Sequence, residues 1–311
     1  MKRTLILLLT LVLPLLVASA QETLSQNEYL RRYNNLAERV GPAGLGVETL
    51  LNKWEATWPE DPQLYLARFR FCFTRCRSSH VEDMAVDKYL GQTPLLSMPD
   101  SLGNKHNYFE VFEYDDDLFA QANSAIGQAV SLKPWHLDYR LARIDALIAY
   151  EKDKPEMALQ ELKALADKHY KEHPVWEFEG MESISEEQFR AFMQDYCIAL
   201  FRLGSDTSAQ AFKALSEQML IYCKDEPLFV NNLGSYYLVR KEYKQARKYF
   251  DSVLKKHPDD MTALRNSILM ARTMKDVKLE KKYLALMAKN GETEVDRQSA
   301  QARLDAYNTK K

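Results

Sequence analysis

Between Pro227 and Pro258 the apolar positions recur with a helical period that is interrupted once. Val230, Leu233 and Tyr237, then Ala246, Tyr249, Phe250 and Val253, are spaced by three and four, so each set lies on one helical face. The pattern predicts two amphipathic helices, Leu228 to Arg240 and Tyr243 to Lys256, parted by the charged pair Lys241 and Glu242. The small residues Gly234 and Ala246 suit a close crossing. Helix pairs of the same size recur on both sides. Towards the N-terminus, Tyr29, Leu30, Tyr33 and Leu36 mark a helix over Ser25–Val40, and Leu50, Leu51, Trp54 and Trp58 mark another over Val47–Trp58. The helix opened by Pro62 contains Leu66-Ala67-Arg68-Phe69, which recurs after Pro134 as Leu141-Ala142-Arg143-Ile144. Its partner, Pro155 to Tyr170, carries Ala158, Leu162 and Leu165 at the offsets of Ala246, Phe250 and Val253. Ser185 and Gln188 have capping-box spacing before a helix to Leu203, and Thr207 to Cys223 packs back. Beyond Pro258, Leu264, Ile268 and Ala271 pair with Leu279, Tyr283 and Met287, and a polar final helix over Val295–Tyr307 turns Ala300, Leu304 and Tyr307 inward.

One stretch breaks the helical period. Between Ser78 and Tyr114, Gly91, Pro94, Pro99 and Gly103 appear, and Asp100-Ser101-Leu102-Gly103-Asn104 is turn chemistry. Leu95 to Met98 before it and the aromatic run Tyr108 to Tyr114 after it predict a small β-hairpin inserted between the two helices of one unit. Helix resumes at Asp116 and runs to Leu132, with Phe119, Ala122, Ile126 and Val130 inward.

The stretch from Val230 to Pro258 resembles a tetratricopeptide repeat, whose pattern is W-x2-L-G-x2-Y, then A-x3-F, then P. Leu233, Gly234, Tyr237, Ala246, Phe250 and Pro258 stand at its offsets, with Val230 in place of the opening Trp. The resemblance implies an all-α solenoid of about six helical hairpins plus a capping helix, with the small β-hairpin as insertion. The expected segments are a leader over 1–20, an N-terminal hairpin over 22–60, degenerate repeats over 61–223 with the insertion at 79–115, C-terminal repeats over 227–290, and a capping helix and tail over 291–311. It also implies a non-enzymatic scaffold that holds an extended peptide in a concave groove lined by the first helix of each repeat. The fifth groove position is then Arg68, Arg143, Asn231 and Arg265; Arg140 falls at the second, and Arg75 and Arg272 at the twelfth. Guanidinium forks suit carboxylates, so an acidic segment or chain terminus of a protein partner is the expected ligand. The competing reading pairs these arginines with local carboxylates such as Asp138 or Asp145, at little energetic value.

Composition narrows the setting. Residues 1–20 have a basic start at Lys2 and Arg3, an apolar run from Leu5 to Val17 and the small tract Ala18-Ser19-Ala20, the three parts of a secretory signal cleaved before Gln21. The run is short for a membrane span and Pro14 interrupts it. Loss of that segment takes 42 basic residues to 40 against 44 acidic, a formal charge near −4, which argues against a nucleic-acid surface. No later stretch is apolar enough to span a bilayer, so the expected location is periplasmic or extracellular.

The chemistry-bearing residues are sparse. Of four cysteines, Cys197 and Cys223 lie on consecutive helices where a bridge is conceivable; the alternative is that all are small buried apolar residues. His169 and His173 read as solvated residues at a helix end, and Asp115-Asp116-Asp117 as a cap. His80, Glu82 and Asp83 could be read as metal ligands, but the sequence supplies no convincing further partner. No cofactor, metal or catalytic set is predicted. The second functional reading is a carbohydrate-stacking platform built from Tyr108, Phe109, Phe112 and Tyr114.

Overall fold

The structure is a computed structural model that describes residues 24–178, 181 and 183–309. The predicted leader and its cleavage site at Ala20/Gln21 lie outside the described residues. Among those described are thirteen α-helices and one small sheet. They form six consecutive hairpins, α1 (Gln26–Val40) with α2 (Val47–Thr57), α3 (Pro62–Arg75) with α4 (Asp116–Leu132), and α5 (Leu137–Glu151) with α6 (Glu156–Glu172). Then follow α7 (Glu186–Arg202) with α8 (Asp206–Tyr222), α9 (Pro227–Val239) with α10 (Tyr243–Lys256), α11 (Met261–Thr273) with α12 (Val277–Asn290), and the closing helix α13 (Glu294–Thr309).

Local chemistry sets the helix ends. Ser25, Asp61, Asp115, Ser185, Ser205, Asp260 and Asp276 each accept a backbone amide from the first turn of the helix they precede. Ser185 and Gln188 close a full capping box. Each helix then buries one stripe. Phe250 and Ala246 on α10 are fully buried, and Gly234 on α9 permits their approach: a Cβ there would sit 2.4 Å from Phe250 Cε1. The large apolar side chains that α9 buries are Phe229, Leu233 and Tyr236, whereas Val230 and Tyr237, predicted to lead its face, are half-buried. Tyr237 instead stacks on Tyr249 at 5.6 Å.

Successive helices pack on their neighbours, with one irregularity: α6 lies against α8. The segment between α6 and α7 explains this. Trp176 in this segment is buried, and His136 bridges to Glu177 in a short parallel pairing. The segment therefore packs into the stack beside α6, while the end of α6 still meets α7 where His169 stacks on Phe189.

The insertion has one strand more than its hydrophobic pattern predicts. β1 (Arg77–Met84), β2 (Leu96–Pro99) and β3 (Lys105–Tyr114) form an antiparallel sheet in the order β1-β3-β2. The predicted hairpin is β2 with β3, closed by Asp100, whose Oδ1 accepts from the amides of Leu102 and Asn104. β1 was hidden because its side chains are exposed on both faces, so it carries no apolar alternation.

The apolar interior falls into three clusters along the stack. Each is centred on facing stripes from neighbouring hairpins, the arrangement expected when every unit covers the next one's apolar side.

Candidate functional site

Two hollows are built where the predicted binding residues meet other elements. The first lies between α11, α12 and α13. It has a volume of about 330 Å³, and Ile268, Leu269, Leu284, Met287 and Ala300 line it together with the guanidinium groups of Arg265, Arg272 and Arg303. Arg265 and Arg272 stand seven apart on α11, so both project on one side. Arg303 comes from the closing helix.

Their partners leave the hollow basic. Glu280 on α12 is 3% exposed; its Oε1 accepts from Arg272 Nε at 3.4 Å and forms an ion pair with the Arg303 guanidinium, Nε lying 2.8 Å away. Its Oε2 accepts from the Tyr307 hydroxyl at 2.8 Å. Arg265 Nη2 donates to Asp296 Oδ1 at 3.2 Å, where Asp296 is also held by Thr293 and has its pKa lowered by that hydrogen bond and by Arg265. Three cations thus face two carboxylates, and half or more of the Arg265 side chain remains in solvent.

The second hollow has a volume of about 340 Å³ and lies between the sheet and the helices α5 and α7. Phe112, Tyr114, Tyr89 and Leu90 form the sheet side, and Ile148, Ala149, Ala199 and Leu203 the helix side. Tyr196 donates to Asp145 Oδ1 at 2.8 Å across it, and burial pushes the Asp145 carboxyl above its ordinary range despite that bond. Gly91, with a φ of 78°, brings the β1–β2 loop onto the end of α7: a Cβ there would lie 2.6 Å from the Arg202 carbonyl. The insertion is thereby held at its root, where the Asp115 amide donates to the Cys76 carbonyl at 2.8 Å, and at the β1–β2 loop on α7.

The remaining predicted residues are engaged elsewhere. Arg68 Nη2 donates to Glu55 Oε2 at 2.6 Å and Asn52 Oδ1 at 3.2 Å, both on α2. Arg75 is 3.7 Å from Glu48 on the same helix. Arg143 reaches Asn123 on α4 at 2.9 Å and Glu161 on α6 at 3.0 Å. Arg140 donates to the Pro134 carbonyl at 3.1 Å beside the Trp176 ring. Asn231 is buried and donates to Asp260, the cap of α11, at 3.0 Å. Asp145, offered as a local partner for these arginines, is taken by Tyr196 instead. Of the predicted set, only Arg265 and Arg272 share a hollow. Arg303 was missed because the last helix reads as a polar cap; its place among the inward residues Ala300, Leu304 and Tyr307 was the available signal.

The four insertion aromatics form no common platform. Phe109 is buried and points to the opposite face of β3 from Tyr108, Phe112 and Tyr114. Tyr114 docks among Phe73, Phe119 and Tyr150, and Phe112 lies 4.8 Å under the Arg77 guanidinium. The histidine reading also needs correction. His169 is buried between Trp176 and Glu186 and stacks on Phe189, and only His173 is solvated. Asp115 caps α4 through the Leu118 amide.

Cys197 and Cys223 are not bridged: the first faces Ser216 and the second the Tyr170 hydroxyl. Burial pushes the Cys197 thiol up to about 12 and the Cys76 thiol up to about 11, which keeps both protonated at neutral pH. Among the described residues, no three His, Cys, Asp or Glu side chains are grouped to hold a metal ion, and no helix is long and apolar enough to cross a membrane.

The chain folds as consecutive helical hairpins closed by a last helix, the arrangement that the repeat resemblance implies. No protein-family model and no curated protein matches the chain. Among solved structures, it is similar to Pseudomonas aeruginosa PilF, with 13% identity, a TM-score of 0.34, and coverage of 89% of this chain and 96% of that one. It is also similar to PilW, described as a widely conserved type IV pilus biogenesis factor, with 12% identity, a TM-score of 0.38, and coverage of 88% and 97%.

Proposed function

We propose that this chain is an exported, non-enzymatic binding scaffold that holds an acidic segment or chain terminus of a protein partner at the hollow between α11 and α13. The observation that supports this is the convergence of Arg265, Arg272 and Arg303 over an apolar floor, paired among the described residues with the two carboxylates of Glu280 and Asp296. Arg272 and Arg303 are oriented by a nearly buried carboxylate, so their forks are held in place before a ligand arrives, which lowers the entropy cost of binding. Arg265 is the most exposed of the three and exchanges its contact with Asp296 for a ligand carboxylate. The floor of Leu269, Leu284 and Met287 takes an apolar side chain next to the acidic group.

Display selection of random peptides on the chain from Gln21 onward tests this reading. Acidic residues flanking one apolar residue are the expected enrichment, lost when Arg265→Glu and Arg272→Gln are combined. An enrichment without acidic residues, or one unchanged in the double variant, would exclude the reading. Export is proposed from the first twenty residues, and the N-terminal sequence of the secreted protein should then begin at Gln21.

A further inference from the structure

The outer side of β1 is unpaired. The sheet order puts β1 at one edge, and it pairs with β3 over eight consecutive positions without a bulge, from Arg77 opposite Tyr114 to Met84 opposite Asn107. Residues Arg77 to Asp83 are all exposed. Among the described residues, no backbone hydrogen bond joins Ser78–Met84 to any segment other than β3. Natural edge strands are usually short, bulged, or protected by proline or charged side chains, lysine above all, because a straight free edge is a template for another strand. The sequence RSSHVEDM has neither proline nor lysine, and at eight residues it is twice the length of the opposite edge strand β2.

The charges on this edge are arranged end to end. Arg77 stands at its start, and Glu82 and Asp83 stand near its finish. In an antiparallel pair of two such strands, each Arg77 lies opposite the acidic end of the other copy, and the two-fold axis passes near His80. A parallel pair would set Arg77 against Arg77 and Asp83 against Asp83. The strand is therefore complementary to itself in one orientation only, the condition for a closed two-fold contact. We propose that β1 pairs antiparallel with β1 of a second copy of this chain, joining the two sheets into one of six strands. Main-chain hydrogen bonds supply the attraction and the end charges set the direction. Arg77 keeps its place over Phe112, and Asp83 keeps its 2.5 Å contact with His106, so both side chains are already ordered at the edge.

Charge-swap variants of the chain from Gln21 onward, followed by sedimentation equilibrium, decide this. The parent should dimerise. Arg77→Glu sets two acidic pairs against each other and Asp83→Arg sets two basic pairs, so each variant alone should dimerise roughly tenfold more weakly or worse. An equimolar mixture of the two variants restores both opposite-charge pairs and should recover the parent's association. Unchanged circular dichroism would show that each variant is folded. A parent that stays monomeric at the highest concentration, single variants that dimerise as the parent does, or a mixture that recovers nothing would each overturn the proposal. These outcomes leave the α11–α13 hollow untouched, since it lies on other elements.

Discussion

The indole Nε1–H of Trp176 donates to Nδ1 of His169 at 3.0 Å, with both side chains buried. That bond makes Nδ1 the acceptor, so Nε2 carries the proton and donates to Glu186 Oε1 at 3.1 Å. Burial pulls the His169 pKa down, outweighing the opposing pull of Glu186. The unfolded chain then binds a proton near the ordinary histidine value of about 6.5 that the folded chain refuses, so stability declines as pH drops below that value. A series of thermal melts from about pH 8 to pH 5 should show this decline, and His169→Gln should flatten its upper part.

Gly234 should resist enlargement. Its Cβ would fall 2.4 Å from the Phe250 ring, and Phe250 is fully buried with no room to retreat. Gly234→Ala is expected to cost about 1–3 kcal/mol by urea unfolding. Combining it with Phe250→Leu should cost less than the sum of the two single changes, because the shorter side chain vacates the contact.

Glu280 is the anchor of the last hairpin. Arg272, Arg303 and Tyr307 all converge on its carboxylate. Glu280→Gln weakens three contacts at one buried point and should cost about 1–3 kcal/mol. Amide hydrogen exchange should show residues 294–309 losing protection before the rest of the stack.

The insertion depends on Gly91. Its positive φ is uncommon for a residue with a side chain, and a Cβ would meet the Arg202 carbonyl. Gly91→Ala should release the loop over 85–95 from α7, raising its exchange rate and protease sensitivity while the helices keep their protection.

Most helices were legible because burial of one stripe forces apolar spacing of three and four, as in Phe119, Ala122 and Ile126. The strand β1 was not, because its pairing uses the backbone and leaves no trace in side-chain polarity. Nor was the His169–Trp176 contact, which joins a helix end to an irregular segment seven residues on. The arginines illustrate the limit most clearly. Repeat register gave their place along each helix, but not which neighbouring carboxylate lies within reach. Arg68 and Arg143 turn to other helices of the stack, whereas Arg265 and Arg272 stand with Arg303 around a hollow.

The most direct measurement of the central claim is fluorescence anisotropy with a labelled peptide containing several Glu residues around one Leu and a free C-terminal carboxylate. Its control is the same peptide with Gln for Glu and an amidated end. The chain from Gln21 onward should bind the acidic peptide, more weakly as salt is raised, and should lose roughly tenfold or more in affinity when Arg265→Glu and Arg272→Gln are combined. Equal binding of the acidic and neutral peptides, or an affinity unmoved by the two substitutions, would contradict the account.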